Sequence, residues 1–240
     1  MSGHSKWHSI RHKKAANDAK RGKVLTKHSK LIAVAAKSDP SPETNATLRT
    51  LISNAKSDGV PKDNIDRVLK KVSGEGKDAV VYTEVLYEGY APGGVAVIVQ
   101  GLTDNINRTH PEVRTAFNKS GANLGAEGSV KFMFDHIGLI VVKTGGKTED
   151  AVFEILMEAG ADDFDYGEEE TIIFTDFKQL GAVRDALEAS GLEISKSEPQ
   201  YKPKDPQKIS AEDQVKLELF IEKIEEVEDV DEIFVAVEWD

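Results

Sequence analysis

LIVVKTGGKTEDAVFEILMEAGADDFDYGEEETIIFTDFKQLGAVRDALEASGLEISKS, residues 139–197, divides into six segments. The apolar run Leu139–Lys143 predicts a strand, Glu149–Ala159 a helix, Phe164–Tyr166 and Thr171–Thr175 two further strands, Phe177–Ser190 a second helix and Leu192–Ser197 a last strand. This β-α-β-β-α-β order is that of a ferredoxin-like sandwich. On its N-terminal side, Val81–Tyr90 alternates, Ala91-Pro92-Gly93-Gly94 reads as a turn and Val95–Gln100 as a second strand, which together predict a hairpin. A helix from about Arg108 to Ser120 and a strand at Val130–Phe134 follow. On the C-terminal side, Pro199–Pro206 holds three prolines and reads as a connector. Ser210, with Asp213 three residues on, opens a helix carrying Leu217, Phe220, Ile221 and Ile224, and Ile233–Trp239 is a final strand. The set from Val81 to Phe134 lacks one helix and one strand of a sandwich, so residues 204–240 are expected to return and complete it.

Residues 24–73 predict three short amphipathic helices. Val24, His28, Leu31 and Ala35 share one face of the first, while Lys20, Lys23, Lys27, Lys30 and Lys37 fall on the other. Leu48, Leu51, Ile52 and Ala55 mark the second; the third opens near Pro61 and repeats the spacing in Ile65, Val68, Leu69 and Val72. The expected class is α+β: a three-helix bundle followed by two ferredoxin-like α/β sandwiches, one inserted in the other. The corresponding domains are 1–77, 78–135 with 204–240, and the insertion 136–203.

Charge is distributed unevenly along this framework. Residues 1–37 hold ten Lys or Arg against the single acid Asp18, a balance of +9 in a chain of net charge −11, which leaves −20 for the remainder. A net negative body is repelled by phosphates, so only an oriented basic face could approach nucleic acid. The basic segment also carries Trp7, able to stack on a base, and four of the six histidines. These features select Lys6, Arg11, Lys13, Lys14, Lys20, Arg21, Lys23 and Lys27 as phosphate contacts, with His4 and His12 as further donors and Trp7 as the stacking group. A second contact surface is expected in the polar segment around Asn105, Asn107 and Arg108, with Arg114 one helix face away.

Other motifs point away from chemistry. His4, His8 and His12 recur every four residues, but no cysteine or carboxylate joins them and the neighbouring cations oppose a metal. Gly145-Gly146-Lys147-Thr148 resembles the end of a phosphate-binding loop, yet Val141 stands where that loop needs its first glycine, so a turn with Thr148 capping a helix is expected. No acid–base pair or activated nucleophile stands out, which argues against an enzyme, a metal or a cofactor. The absence of cysteine and of a long apolar run points to the cytoplasm with no membrane association, and a monomer is expected.

Four stretches resemble the YebC/PmpR family of bacterial proteins and its mitochondrial relatives. They are Gly3-His4-Ser5-Lys6-Trp7 with Arg11–Lys14 and Lys20–Lys23; Pro61–Ile65 with Arg67; Tyr87–Tyr90 with Pro92–Ala96; and Thr103–Asn105 with Asn107–Thr109. The resemblance implies three domains around a cleft and a role in gene expression. It also implies either DNA binding as a transcriptional regulator or RNA binding as a translation factor that helps ribosomes through stretches such as proline runs. Partners would then be DNA or ribosomal RNA, together with a protein of the ribosome or transcription machinery. A different class of reading makes the acidic domains a module for a basic protein, with the arm as a tether. Two positions depart from the family pattern: His28-Ser29, where a more hydrophobic pair is expected, and Ala122, where a second glycine would follow Gly121.

Overall fold

The structure, a computed structural model, describes residues 18–73 and 81–239. In chain order its elements are α1 (Asp18–Ala36), α2 (Ala46–Ser57), α3 (Lys62–Ser73), β1 (Thr83–Ala91), β2 (Val95–Thr103), α4 (Ile106–Lys119), β3 (Asn123–Leu124) and β4 (Phe134–Lys143). They continue as α5 (Glu149–Ala159), β5 (Asp163–Asp165), β6 (Glu170–Asp176), α6 (Leu180–Ala189), β7 (Ile194–Pro203), α7 (Ala211–Glu225) and β8 (Val230–Val235).

The first three helices share a core of Ile32, Ala36, Leu48, Ala55, Val60 and Ile65, with the predicted Val24, Ala35, Leu51, Ile52, Val68, Leu69 and Val72 packed around it; on α1 the fully buried apolar positions are Ile32 and Ala36 rather than Leu31 and Ala35. Asn45 fixes their first corner. Its side-chain oxygen accepts from Leu48 N at 2.9 Å while its amide donates to the carbonyls of Ala35 and Asp39, so one residue caps α2 and ties it to the end of α1. His28, the polar departure on the packing face, is buried there with Nε2 2.8 Å from Asp58 Oδ2.

The two α/β domains each place helices on one face of a four-stranded antiparallel sheet. The first sheet runs β3-β1-β2-β8, with α4 and α7 covering Val95, Val97 and Val99 through Val113, Phe117, Leu217, Phe220 and Ile224. Phe117 and Phe220 meet edge to face, with centroids 5.0 Å apart. The pairing of β8 with β2 returns the C-terminal segment to the sheet begun at Thr83. Ser210 caps α7, accepting from Asp213 N at 3.1 Å. The second sheet runs β5-β6-β4-β7, the ferredoxin-like path, and packs α5 and α6 over Ile140, Val142, Ile173, Val152, Leu156, Val183 and Leu187. The first sheet reaches the same two layers by another route, because its two central strands are joined directly by the turn at Pro92–Gly94.

Two segments differ from the sequence expectation. Pro199–Pro206 is not purely a connector: β7 runs through Pro199 to Pro203. It can do so because β7 is an edge strand, where a missing N–H leaves no neighbour unpaired. Val130–Phe134 is not a strand either, since Lys131–Met133 forms a turn of 3-10 helix and β4 begins at Phe134. Glu88 explains this. Its buried carboxylate accepts from the backbone N–H groups of Gly128, Val130 and Lys131 at 2.7–2.8 Å, so these donors are committed to a side chain rather than to a strand ladder. Gly89, next to it, has no room for a side chain: a Cβ there would lie 2.3 Å from the Asn123 carbonyl.

Candidate nucleic-acid interface

Of the basic residues selected from sequence, His4, Lys6, Trp7, Arg11, His12, Lys13 and Lys14 lie outside the described residues, as does the His4/His8/His12 repeat. Lys20 and Arg21 fall in the first turns of α1. The next two point into the protein. Lys23 Nζ donates to the carbonyl oxygens of Glu225 and, at 2.9 Å, Val227, at the C-terminal end of α7 where a cation is favoured. Lys27 Nζ pairs with the Glu232 carboxylate. Lys30, from the same face, is buried, donating to Asp229 Oδ1 at 2.7 Å and to the Leu102 carbonyl at 2.9 Å. The expected open cationic face of α1 is therefore corrected over these three turns. It docks on the acidic segment 225–232, and a lysine already matched to a carboxylate offers little to a phosphate.

Asp229 is the centre of that junction. It is 2% exposed and accepts from Lys30, from Thr103 Oγ1 at 2.9 Å, from Thr109 Oγ1 at 2.7 Å and from the Arg108 guanidinium at 2.6 Å. Burial alone would push its carboxyl up, but the hydrogen bonds from Lys30, Arg108, Thr109 and Thr103 outweigh it and hold the group well below the usual carboxylate range. Gly101 lets the segment approach this closely, because a Cβ there would sit 1.9 Å from the Asp229 carbonyl.

The second contact surface is largely absorbed by this network. Asn105 caps α4, accepting from Arg108 N, while its own N–H donates to Thr103 Oγ1 at 2.9 Å. Arg108 bridges Asp104 at 2.9 Å and Asp229, and these two carboxylates raise its pKa further. Asn107 and Arg114 are exposed. Neither Asp229 nor Glu88 was singled out from sequence. The signals available were the polar run Thr103–Thr109 and the odd acid inside the alternating strand Val81–Tyr90.

A second junction joins the bundle to the ferredoxin-like sheet. Asn54, buried on α2, donates to the Ser197 carbonyl at 2.7 Å and accepts from its N–H at 3.0 Å, reading the edge of β7 like one more strand. Arg184 on α6 meets Thr50, and Lys196 lies 3.9 Å from Asp58. Where the three parts converge, a cavity of about 100 Å³ is lined by Lys27, His28, Glu84, Glu198, Asp231 and Glu232 among others. Burial pushes the Asp231 carboxyl up to about 6, against the pull of Lys27 and Lys30. Elsewhere, Thr148 caps α5 through Ala151 N, so Gly145–Thr148 acts as a turn and helix cap. Among the described residues no group of three or more histidine or acidic side chains is placed to hold a metal, and no helix is long and apolar enough to cross a membrane.

A helical bundle clamped onto two antiparallel α/β domains, with a small cavity where the three meet, defines a three-part architecture. A family model described as the TACO1/YebC protein N-terminal domain matches residues 5–75, and one described as the TACO1/YebC second and third domain matches residues 82–237. The chain belongs to the TACO1/YebC family. Similar curated proteins include a "Probable transcriptional regulatory protein" of Lactobacillus helveticus (strain DPC 4571), 45% identical over 98% of each chain. Another of the same description, from Clostridium botulinum (strain Eklund 17B / Type B), is 45% identical over 98% of this chain and 96% of its own. The crystal structure of a conserved hypothetical protein, Aq1575 from Aquifex aeolicus, shares the fold with a TM-score of 0.80 and 41% identity over 92% of this chain and 91% of that one. At the level of the family, the chain is a regulator.

Proposed function

We propose that this chain is a non-enzymatic regulator of gene expression that grips nucleic acid through its basic N-terminal segment. The observation that carries the reading is the division of its positive charge. Residues 1–21 hold six Lys or Arg against one acid. The lysines that follow, Lys23, Lys27 and Lys30, are matched to carbonyls and carboxylates of the body. The body thus holds α1 in place, and the phosphate contacts of this reading are Lys6, Arg11, Lys13, Lys14, Lys20 and Arg21. The names of the curated relatives favour DNA as the target.

The packing of α1 favours a second reading, RNA. A helix whose cationic face is docked on its own protein cannot lay that face in a major groove, which leaves backbone and shape recognition. The test is to crosslink the protein in cells and sequence the attached nucleic acid, comparing the intact chain with one lacking residues 2–17. Defined DNA sites lost with the arm establish the transcriptional reading. Ribosomal RNA lost with the arm establishes the translational one, and crosslinking unaffected by the deletion removes the arm from both.

A further inference from the structure

At the end of the ferredoxin-like sheet nearest the first sheet, three rings form a column. His136 lies between Phe177 and Tyr201, with centroids 4.0 and 4.8 Å away and planes tilted by only 19° and 14°. The Nζ of Lys131 lies over the Tyr201 ring, 5.8 Å from its centre. Tyr201 is buried against Phe234 of the first sheet, which fixes the column to both domains. At the other end Phe177 is 41% exposed, and what sets it apart from the other exposed rings is that it is already stacked on His136.

We propose that Phe177 is a stacking platform for an unpaired base of a single-stranded nucleic acid, a contact that rests on the nucleic-acid reading above and extends it from the arm to the far domain. A base on Phe177 would continue a stack that is already aligned, so little ordering is left to do on binding. Beside the column, and sharing His136 with it, opens a groove of about 390 Å³, room enough for a nucleoside. The aspartates around this groove are already engaged. Asp135 faces Lys204 at 3.5 Å, Asp163 faces Lys202 at 4.0 Å, Asp162 accepts from Asp176 N and Asp176 from Lys178 N, each at 2.7 Å. With its two lysines paired to two of its four aspartates, the groove offers a base hydrogen-bonding groups rather than phosphate contacts. Burial and Lys131 lower the His136 pKa, against Asp176, which keeps the middle ring of the column uncharged at neutral pH.

The test measures binding of the full chain to a short single-stranded RNA carrying 2-aminopurine, and to a blunt duplex of the same sequence. The intact chain should quench the base. Phe177→Leu, which keeps apolar packing but not stacking, should lose the quench and about 5- to 100-fold in single-strand affinity. Phe177→Trp should retain both. The salt dependence and the duplex affinity should be unchanged in each variant, because no phosphate contact is removed. If Phe177→Leu binds and quenches like the parent while deletion of residues 2–17 abolishes binding, the platform is wrong and the arm stands. If the intact chain binds neither probe, both readings fall.

Discussion

At the first sheet the bundle is held by charge: Lys30 and Arg108 converge on the buried Asp229, and Lys27 on Glu232. At the second sheet its buried contact is an amide, Asn54 satisfying both backbone groups of Ser197, with the looser Lys196–Asp58 pair, 3.9 Å apart, beside it. A buried ion pair is a poor source of net stability but a strict one. Its partners have been stripped of water, and removing either leaves a charge with nothing to meet it. The amide pair is neutral and loses less when broken. The difference implies that the bundle is pinned to the first domain through α1 and more lightly tethered to the second through α2, so movement between the parts would open at the Asn54 side.

The largest expected effect follows from that asymmetry. Asp229→Asn should destabilise the protein by about 3–5 kcal/mol in chemical denaturation, since Lys30 is left buried and uncompensated. Adding Lys30→Met should recover part of the loss. If Asp229→Asn unfolds like the parent, the junction is not what pins α1. Asn54→Ala should lower stability by about 1–3 kcal/mol, the penalty for stranding a buried donor and acceptor. Finding it as damaging as Asp229→Asn would erase the contrast between the junctions.

Acid separates the same groups more finely. Asp229 and Glu88 are both held below the ordinary carboxylate range in the folded protein, Glu88 because three backbone N–H bonds outweigh its burial. Their contribution is therefore complete above the unfolded value of about 4 and is lost as the pH falls below it. Asp231 works in the opposite direction. Its folded value near 6 lies above the unfolded one, so its ionisation opposes folding as the pH rises through the interval from about 4 to 6. Melting temperatures measured from acid to neutral pH should show Asp231→Asn more stable than the parent at pH 7 and equal to it below pH 4. An advantage at acid pH that vanishes at neutrality would reverse the assignment.

Much of this architecture is legible in the residue order. The helical stripes of Leu48, Leu51 and Ala55, the hairpin at Pro92–Gly94 and the capped helix after Ser210 follow from local periodicity and turn chemistry, which act within a few residues. What sequence leaves unread is pairing at a distance. Nothing near Lys23, Lys27 or Lys30 announces that their partners lie some 200 positions away, so a row of lysines reads as a free surface when three of its members are anchors. His28 breaks the apolar stripe for the same reason, its partner Asp58 being the residue that ends α2. Glu88 and Asp229 resemble any other acid in a chain with 42 of them, and only their burial beside unmatched donors distinguishes them. The prolines of β7 mislead because an edge strand is defined by what lies beside it.

The most direct test of the account is the salt dependence of nucleic-acid affinity in two sets of variants. One set replaces Lys6, Arg11, Lys13 and Lys14 by Gln; the other replaces Lys23 and Lys27. The account predicts that the slope of log affinity against log salt flattens in the first set, by about 0.9 per contact on duplex DNA or about 0.7 on single strands, and stays at the parent value in the second. A slope that drops with Lys23 and Lys27 but is indifferent to the arm would contradict it.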